Sequence, residues 1–133
     1  MEQEKTLHWD WKKGDRPMDS TVSWNIRGLN WPNKQEDVRL FLQSNKVGLI
    51  RLLETKVKVV NVDKVASHTF PGWNWHYNFS YHPKGRIWIA WRPSSYNLEV
   101  LQESNQYIHC LLTLLSSNKK LFITIICGMN RAQ

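Results

Sequence analysis

The sequence predicts an α+β fold in which one strand–helix–strand unit is followed by antiparallel hairpins. Residues 22–26 alternate apolar and polar side chains, residues 33–45 place apolar side chains at helical spacing, and residues 47–54 form a nearly continuous apolar run. From residue 73 onward, short alternating runs are separated by turn residues, which is typical of hairpins. These patterns predict a mixed β-sheet with its helices on one face.

The strand–helix–strand unit has recognisable boundaries. Gly28 ends the first strand, and Asn33 with Glu36 three residues later predicts a capping box at the start of the helix. The apolar run at 47–54 suits a buried parallel strand, so the unit should be a right-handed βαβ crossover.

The second half of the chain is expected to be mostly strands. Residues 56–70 predict a loop with a short helix, and turns are expected at 83–85 and 116–118. We interpret the Trp residues of the alternating runs as core side chains rather than as a platform for stacking nucleic-acid bases, because each set should lie on one sheet face. The predicted strands are residues 73–79, 86–91, 98–102, 107–115 and 121–127.

The chain of 133 residues has room for one domain. Residues 1–20 are polar, contain the breakers Gly14 and Pro17, and lack a sustained period, so they predict a flexible tail ahead of a domain at 21–133.

Charge and composition restrict the partners. Eighteen Lys and Arg against eleven Asp and Glu give a net charge of +7, which favours nucleic acid or an anionic surface, although scattered Lys residues also suit an ordinary solvated surface. No apolar run is long enough to cross a membrane, and the polar, acidic start excludes a secretory signal. We therefore expect an intracellular protein, nuclear or cytoplasmic, with no membrane partner.

The cysteines and histidines predict structural roles. Cys110 and Cys127 lie in apolar stretches without metal-ligand spacing and predict buried thiols in a reducing compartment. His109 should be a hydrogen-bonded imidazole within a strand, whereas His76 and His82 flank a hairpin and should face solvent.

Two polar residues end the first two core strands. Asn25 and Glu54 should meet at one sheet edge, because the carboxyl ends of adjacent parallel strands lie side by side and ligands bind there. A carboxylate and an amide oxygen suit Mg²⁺. A surface ion pair between Glu54 and Lys56 is the alternative.

Five segments of the chain form an ordered set of motifs: 23–30 (SWNIRGLN), 52–56 (LLETK), 85–91 (GRIWIAW), 106–110 (QYIHC) and 128–130 (GMN). Together they resemble motifs of the endonuclease/exonuclease/phosphatase (DNase I-like) family, in the form carried by plant LINE-type retroelements. The resemblance covers residues 21 to 130, and the joint occurrence of the five motifs in the family's order is specific.

This resemblance implies Mg²⁺-dependent hydrolysis of nucleic-acid phosphodiesters by in-line attack of water. Glu54 would be the main metal carboxylate, Asn25 would position the phosphate or the metal shell, and Asn130 would lie at the rim of the catalytic site. Cys127 stands where the family has a Tyr. The family's later Asp-x-Asn and Asp-His motifs do not follow, so a fragment with little or no activity alone is expected.

The resemblance also implies half of a four-layer αββα sandwich. On that basis this chain should supply one sheet with its helices, leave the inner face of that sheet exposed, and bind a second copy or another partner there. A non-catalytic nucleic-acid-binding module or a protein-interaction module remains the alternative function.

Overall fold

The secondary structure follows the predicted order with one added strand. The computed structural model describes the backbone at residues 4–8, 20–53, 55–78 and 87–126, with side chains from residue 21 onward in those ranges. A short 3₁₀ turn at Val59–Asn61 precedes the second helix. The elements are β1 (Glu4–His8), β2 (Ser20–Asn25), α1 (Pro32–Ser44), β3 (Val47–Leu53), α2 (Val62–Thr69), β4 (Asn74–Tyr77), β5 (Ile87–Trp91), β6 (Tyr96–Glu103), β7 (Tyr107–Leu114) and β8 (Lys119–Ile126).

The first sheet, sheet A, has the strand order β1-β2-β3-β5-β4. Strands β2 and β3 are parallel and joined by α1, which is the predicted βαβ unit. Strand β5 is antiparallel to both β3 and β4. Sheet A is therefore mixed, and the predicted α+β class is confirmed.

A second sheet, sheet B, is built from the antiparallel strands β6-β7-β8. The expectation that the chain supplies only one sheet is wrong. Alternate residues of β7, such as Ile108 and Leu112, are fully buried in one cluster with Ile89 and Trp91 of sheet A. The two sheets thus pack face to face, and sheet B covers the inner face that was expected to be exposed.

Both helices pack against the other face of sheet A. Val38 and Leu42 of α1 and Val65 of α2 belong to one buried cluster with Trp24 and Trp88 of the sheet. The layers are therefore helices, sheet A and sheet B, with the helices on one face as predicted. Within the described residues, no helix is long and apolar enough to cross a membrane.

Trp88 lies at the centre of the helix-side core. Its ring stacks on Tyr77 with 4.6 Å between the ring centroids. Phe70 meets it edge-on at 5.4 Å, and Trp75 lies against it at a tilt, at 5.5 Å. The prediction that these aromatic residues are core side chains is confirmed. However, Trp88 and Trp91 lie on opposite faces of sheet A, since they are three residues apart on one strand.

The N-terminal segment is not wholly a tail. Strand β1 pairs antiparallel with β2, with Lys5 opposite Trp24. The tail prediction is therefore wrong for residues 4–8, while residues 9–19 lie outside the described part of the chain. The pairing satisfies backbone N–H and C=O groups of β2. The need of these groups for partners cannot be seen in the alternation of side chains.

Helix α1 begins differently from the predicted capping box. Its N-cap is Trp31, no side chain caps it, and Pro32 occupies the first turn, where its missing N–H costs nothing. Glu36 instead forms an ion pair with Arg39. The start of α1 is therefore marked by Pro32 and not by a capping side chain.

Two polar side chains join the sheets. His76 Nε2 of β4 lies 2.8 Å from Glu103 Oε1 of β6. The imidazole is half-buried between these two strands. The prediction of a solvent-facing His76 is wrong, because this residue faces sheet B; His82 lies outside the described residues.

Cys110 is fully buried as predicted, and burial, followed by the nearby Glu103 carboxylate, raises the pKa of its thiol to about 12. Cys127 is not among the described residues.

Among the described side chains, large apolar groups are exposed on strand β8 and not on the strands of sheet A. Phe122 and Ile126 are 69% and 61% exposed. Both lie on the outer face of sheet B, since their neighbours Ile123 and Ile125 point toward sheet A. Among the described strands, β8 is also an edge of sheet B.

We expect Trp88→Ala to lower the free energy of unfolding by about 3–5 kcal/mol, because it leaves a cavity where three aromatic rings meet. Trp31→Ala is the matched control: Trp31 is 65% exposed, and its loss should cost about 0.5 kcal/mol. Urea unfolding of both variants measures the difference. Equal losses would contradict this assignment of the core.

Stability should fall at alkaline pH partly through Tyr77. Burial raises the pKa of its phenol to about 12, and its hydroxyl donates a hydrogen bond to the Val57 carbonyl. Between about pH 10 and 12 the unfolded chain releases this proton while the folded chain keeps it, so the free energy of unfolding decreases as pH rises. Tyr77→Phe should be less stable than wild type at pH 7 by about 1 kcal/mol but lose less stability over that window. Parallel curves for the two proteins would contradict the assignment.

Candidate functional site

Asn25 lies where two parallel strands end together. Its backbone pairs with Leu53, and the next residue, Ile26, donates its N–H to the Leu53 carbonyl at 3.2 Å. Trp24 points into the helix-side core, so Asn25 is on the face toward sheet B, where it is half-buried. We call this end of the sandwich the Asn25 edge.

Glu54 lies outside the described residues, but the chain on either side of it is anchored. Leu53 packs against the core between the sheets, and Thr55 and Val57 are fully buried. Between them, Lys56 has a φ of +57°, a conformation that is uncommon for a residue other than glycine. Such backbone strain persists only where the surrounding structure enforces it, and it clusters at functional sites.

The loop after Asn25 is held by glycine geometry and a buried amide. Gly28 has a φ of +78°, and its carbonyl accepts a hydrogen bond of 2.9 Å from the Trp31 N–H. Gln35 of α1 is buried and donates its amide to the Leu29 carbonyl at 2.9 Å. Its amide oxygen lies 3.3 Å from His68 Nδ1 of α2. Gln35 therefore fixes this loop to both helices.

Gln35 was not identified by the sequence reasoning. The available signal was its spacing, since it lies three residues before Val38 on the apolar face of α1, where an uncharged polar side chain must find partners.

A second buried amide joins the two sheets at the Asn25 edge. Asn78 follows β4; its Oδ1 accepts the Ile87 N–H at 2.9 Å, and its Nδ2 donates to the Ser104 carbonyl at 3.0 Å. This contact places the end of β6 beside the end of β4. Because β7 begins and β8 ends opposite the end of β6, Ile126 is also at this edge.

Strands β2, β3 and β8 therefore all end at the Asn25 edge. The three residues that the sequence predicts for the site lie in or after these strands in the sequence: Asn25 ends β2, Glu54 is one residue after Leu53, and Asn130 is four residues after Ile126. Glu54 and Asn130 lie outside the described residues, so their contacts stay predictions.

Metal ligands can be considered by donor type. Among the described residues, no group of three or more His, Cys, Asp or Glu side chains is arranged to hold a metal. An Asn amide oxygen and a Glu carboxylate are hard donors of the kind that Mg²⁺ takes, with water and phosphate oxygens completing its shell. The half-buried Asn25 side chain at a strand end fits such a set.

His109 has the structural role predicted for it. On the outer face of sheet B, its Nδ1 lies 2.7 Å from Thr124 Oγ1, and its ring stacks on Phe122 at 6.0 Å between centroids. It lines a shallow hollow of about 440 Å³ together with Tyr107 and Ile126. The described partners of His109 are thus within sheet B.

Comparison of this chain with models of protein families, with curated proteins and with solved structures gives no match.

We expect Gly28→Ala to disturb the loop beside Asn25 more than Gly72→Ala disturbs its own turn. Both glycines have positive φ, so each substitution should cost about 1–2 kcal/mol of stability. Only at Gly28 would the new Cβ collide with a neighbour, lying 2.8 Å from Trp31 Cδ1, whereas nothing lies within 4 Å at Gly72. The indole NMR signal of Trp31 should shift in Gly28→Ala and stay in place in Gly72→Ala. Equal shifts would contradict this geometry.

Proposed function

We propose that this chain is a retroelement-derived, Mg²⁺-dependent endonuclease-like domain fragment acting on nucleic-acid phosphodiesters. The observation that carries the proposal is the convergence of β2, β3 and β8 at the Asn25 edge, because Asn25 ends β2 while Glu54 and Asn130 follow β3 and β8 in the sequence. The face-to-face sheets with helices outside are consistent with the sandwich implied by the motif resemblance.

Each residue has a defined task in this proposal. Glu54 supplies the carboxylate and Asn25 the amide oxygen that hold Mg²⁺ and the scissile phosphate in place. Asn130, which follows β8 in the sequence, would contact the phosphate. The bound ion would stabilise the charge that develops on the phosphate and leaving oxygens. Gln35 and Gly28 are positioning residues, since they fix the loop that follows Asn25.

The activity of these 133 residues alone should be low. The sequence contains neither an Asp-x-Asn nor an Asp-His motif, which in the resembled family orient the attacking water and serve as the base. Loss of general-base catalysis alone lowers rates by roughly 10²–10⁴-fold.

The direct test is nicking of supercoiled plasmid in Mg²⁺ by wild type, by Glu54→Gln and by wild type in EDTA. We expect slow nicking by wild type that is abolished by the substitution and by EDTA, because the carboxylate and the ion are both required. Lys120→Gln, which removes one exposed positive charge from sheet B, is the matched control and should nick like wild type.

Equal nicking by wild type and Glu54→Gln would indicate a contaminant and sink the proposal. Absence of nicking would leave a non-catalytic nucleic-acid-binding module, which the charge of +7 favours as the second candidate. Its signature is binding that persists in EDTA and in Glu54→Gln and weakens steeply as salt is raised.

A further inference from the structure

The end of the sandwich opposite the Asn25 edge carries a separate cleft. Strand β3 begins here at Val47 and runs to Leu53, so the cleft lies about 20 Å from the Asn25 edge at the usual rise per residue of a strand. Its volume is about 590 Å³, within the range of small-molecule sites. The described residues that line it include Arg39, Lys46, Thr69, Trp73 and Arg92.

The lining of the cleft is basic. Arg39, Lys46 and Arg92 contribute three positive charges, and no Asp or Glu is among the described residues that line it. Glu36 pairs with Arg39, but this ion pair is exposed and lies within one turn of α1, so it is of low energy. A ligand with more negative charge can compete for the Arg39 guanidinium.

Arg92 is held rigidly in the cleft wall. Its Nε and one terminal nitrogen donate to the Val47 carbonyl at 3.3 and 3.1 Å, and its guanidinium lies 5.0 Å from the centroid of the Trp73 ring. These contacts order the side chain, and a guanidinium stays protonated in proteins. A preorganised guanidinium is the group best suited to phosphate oxygens.

Thr69 provides an independent observation. It ends α2, lines the cleft and is fully buried, yet its hydroxyl has no hydrogen-bond partner among the described residues. A buried hydroxyl without a partner is costly, and native structures rarely leave one. A ligand oxygen in the cleft would satisfy it.

We propose that this cleft binds a nucleotide phosphate, with Arg39, Lys46 and Arg92 as its cationic contacts and the Thr69 hydroxyl as a neutral donor. The inference does not rest on the endonuclease proposal, because no residue is shared with the Asn25 edge. The phosphate belongs either to a free nucleotide or to a strand of nucleic acid, and the cleft recognises the same group in both.

Calorimetric titration of the full chain with inorganic phosphate, AMP and a short oligothymidylate tests the proposal. We expect saturable binding that Lys46→Gln and Thr69→Val each weaken about tenfold, the effect of losing one hydrogen bond to a charged group. Lys120→Gln, with the same change of charge on sheet B, should leave the Kd within about twofold of wild type.

Thr69→Val separates binding from folding. Valine has the shape of threonine and removes a hydroxyl that has no described partner, so the variant should unfold at the same or higher urea concentration than wild type. Weaker binding by a protein of undiminished stability would support a ligand contact by this hydroxyl.

The ligand series identifies the source of the phosphate. AMP binding as tightly as the oligonucleotide would indicate a free nucleotide, whereas tighter oligonucleotide binding that remains sensitive to Lys46 and Thr69 would indicate a strand. No saturable binding, or equal weakening by Lys46→Gln and Lys120→Gln, would overturn the site. Loss of plasmid nicking in Glu54→Gln reports only on the Asn25 edge, so the two proposals fail separately.

Discussion

The fold depends on burying both faces of the central strands of sheet A. Strand β5 is buried along its whole length, with Trp88 in the aromatic cluster beneath the helices and Ile89 and Trp91 against sheet B. A strand in this position needs a layer on each side, because neither apolar face can be left to water. The helices supply one layer and the β6-β7-β8 sheet supplies the other.

This double burial also explains how the Asn25 edge is built. Since the strands are locked by their neighbours, the ends of β2, β3 and β8 lie at fixed positions at this edge. Asn78 and Gln35 complete the arrangement by satisfying backbone groups that leave the regular ladders. Strain at Lys56 is tolerated because Thr55 and Val57 on either side are buried.

The two ends of the sandwich differ in chemistry. The proposed site at the Asn25 edge relies on oxygen donors that would suit a cation, whereas the opposite cleft is lined by Arg39, Lys46 and Arg92, which suit an anion. The cleft could not have been found from sequence, because its lining residues come from both helices, the turn between α1 and β3, the segment before β4 and the loop after β5. They are scattered along the chain and become neighbours only through packing.

The sequence by itself determined the local elements: the βαβ unit, the parallel pairing of β2 and β3, the hairpins, the buried Cys110 and the position of Asn25 at a strand end. These follow from periodicity and turn residues, which act over a few positions. Tertiary structure decided that the strands divide between two sheets, that β1 joins β2, and that His76 faces Glu103. The physical reason is that alternation shows which side chains are buried but not what covers them, and strand pairing between distant segments is made largely by backbone groups that every residue shares.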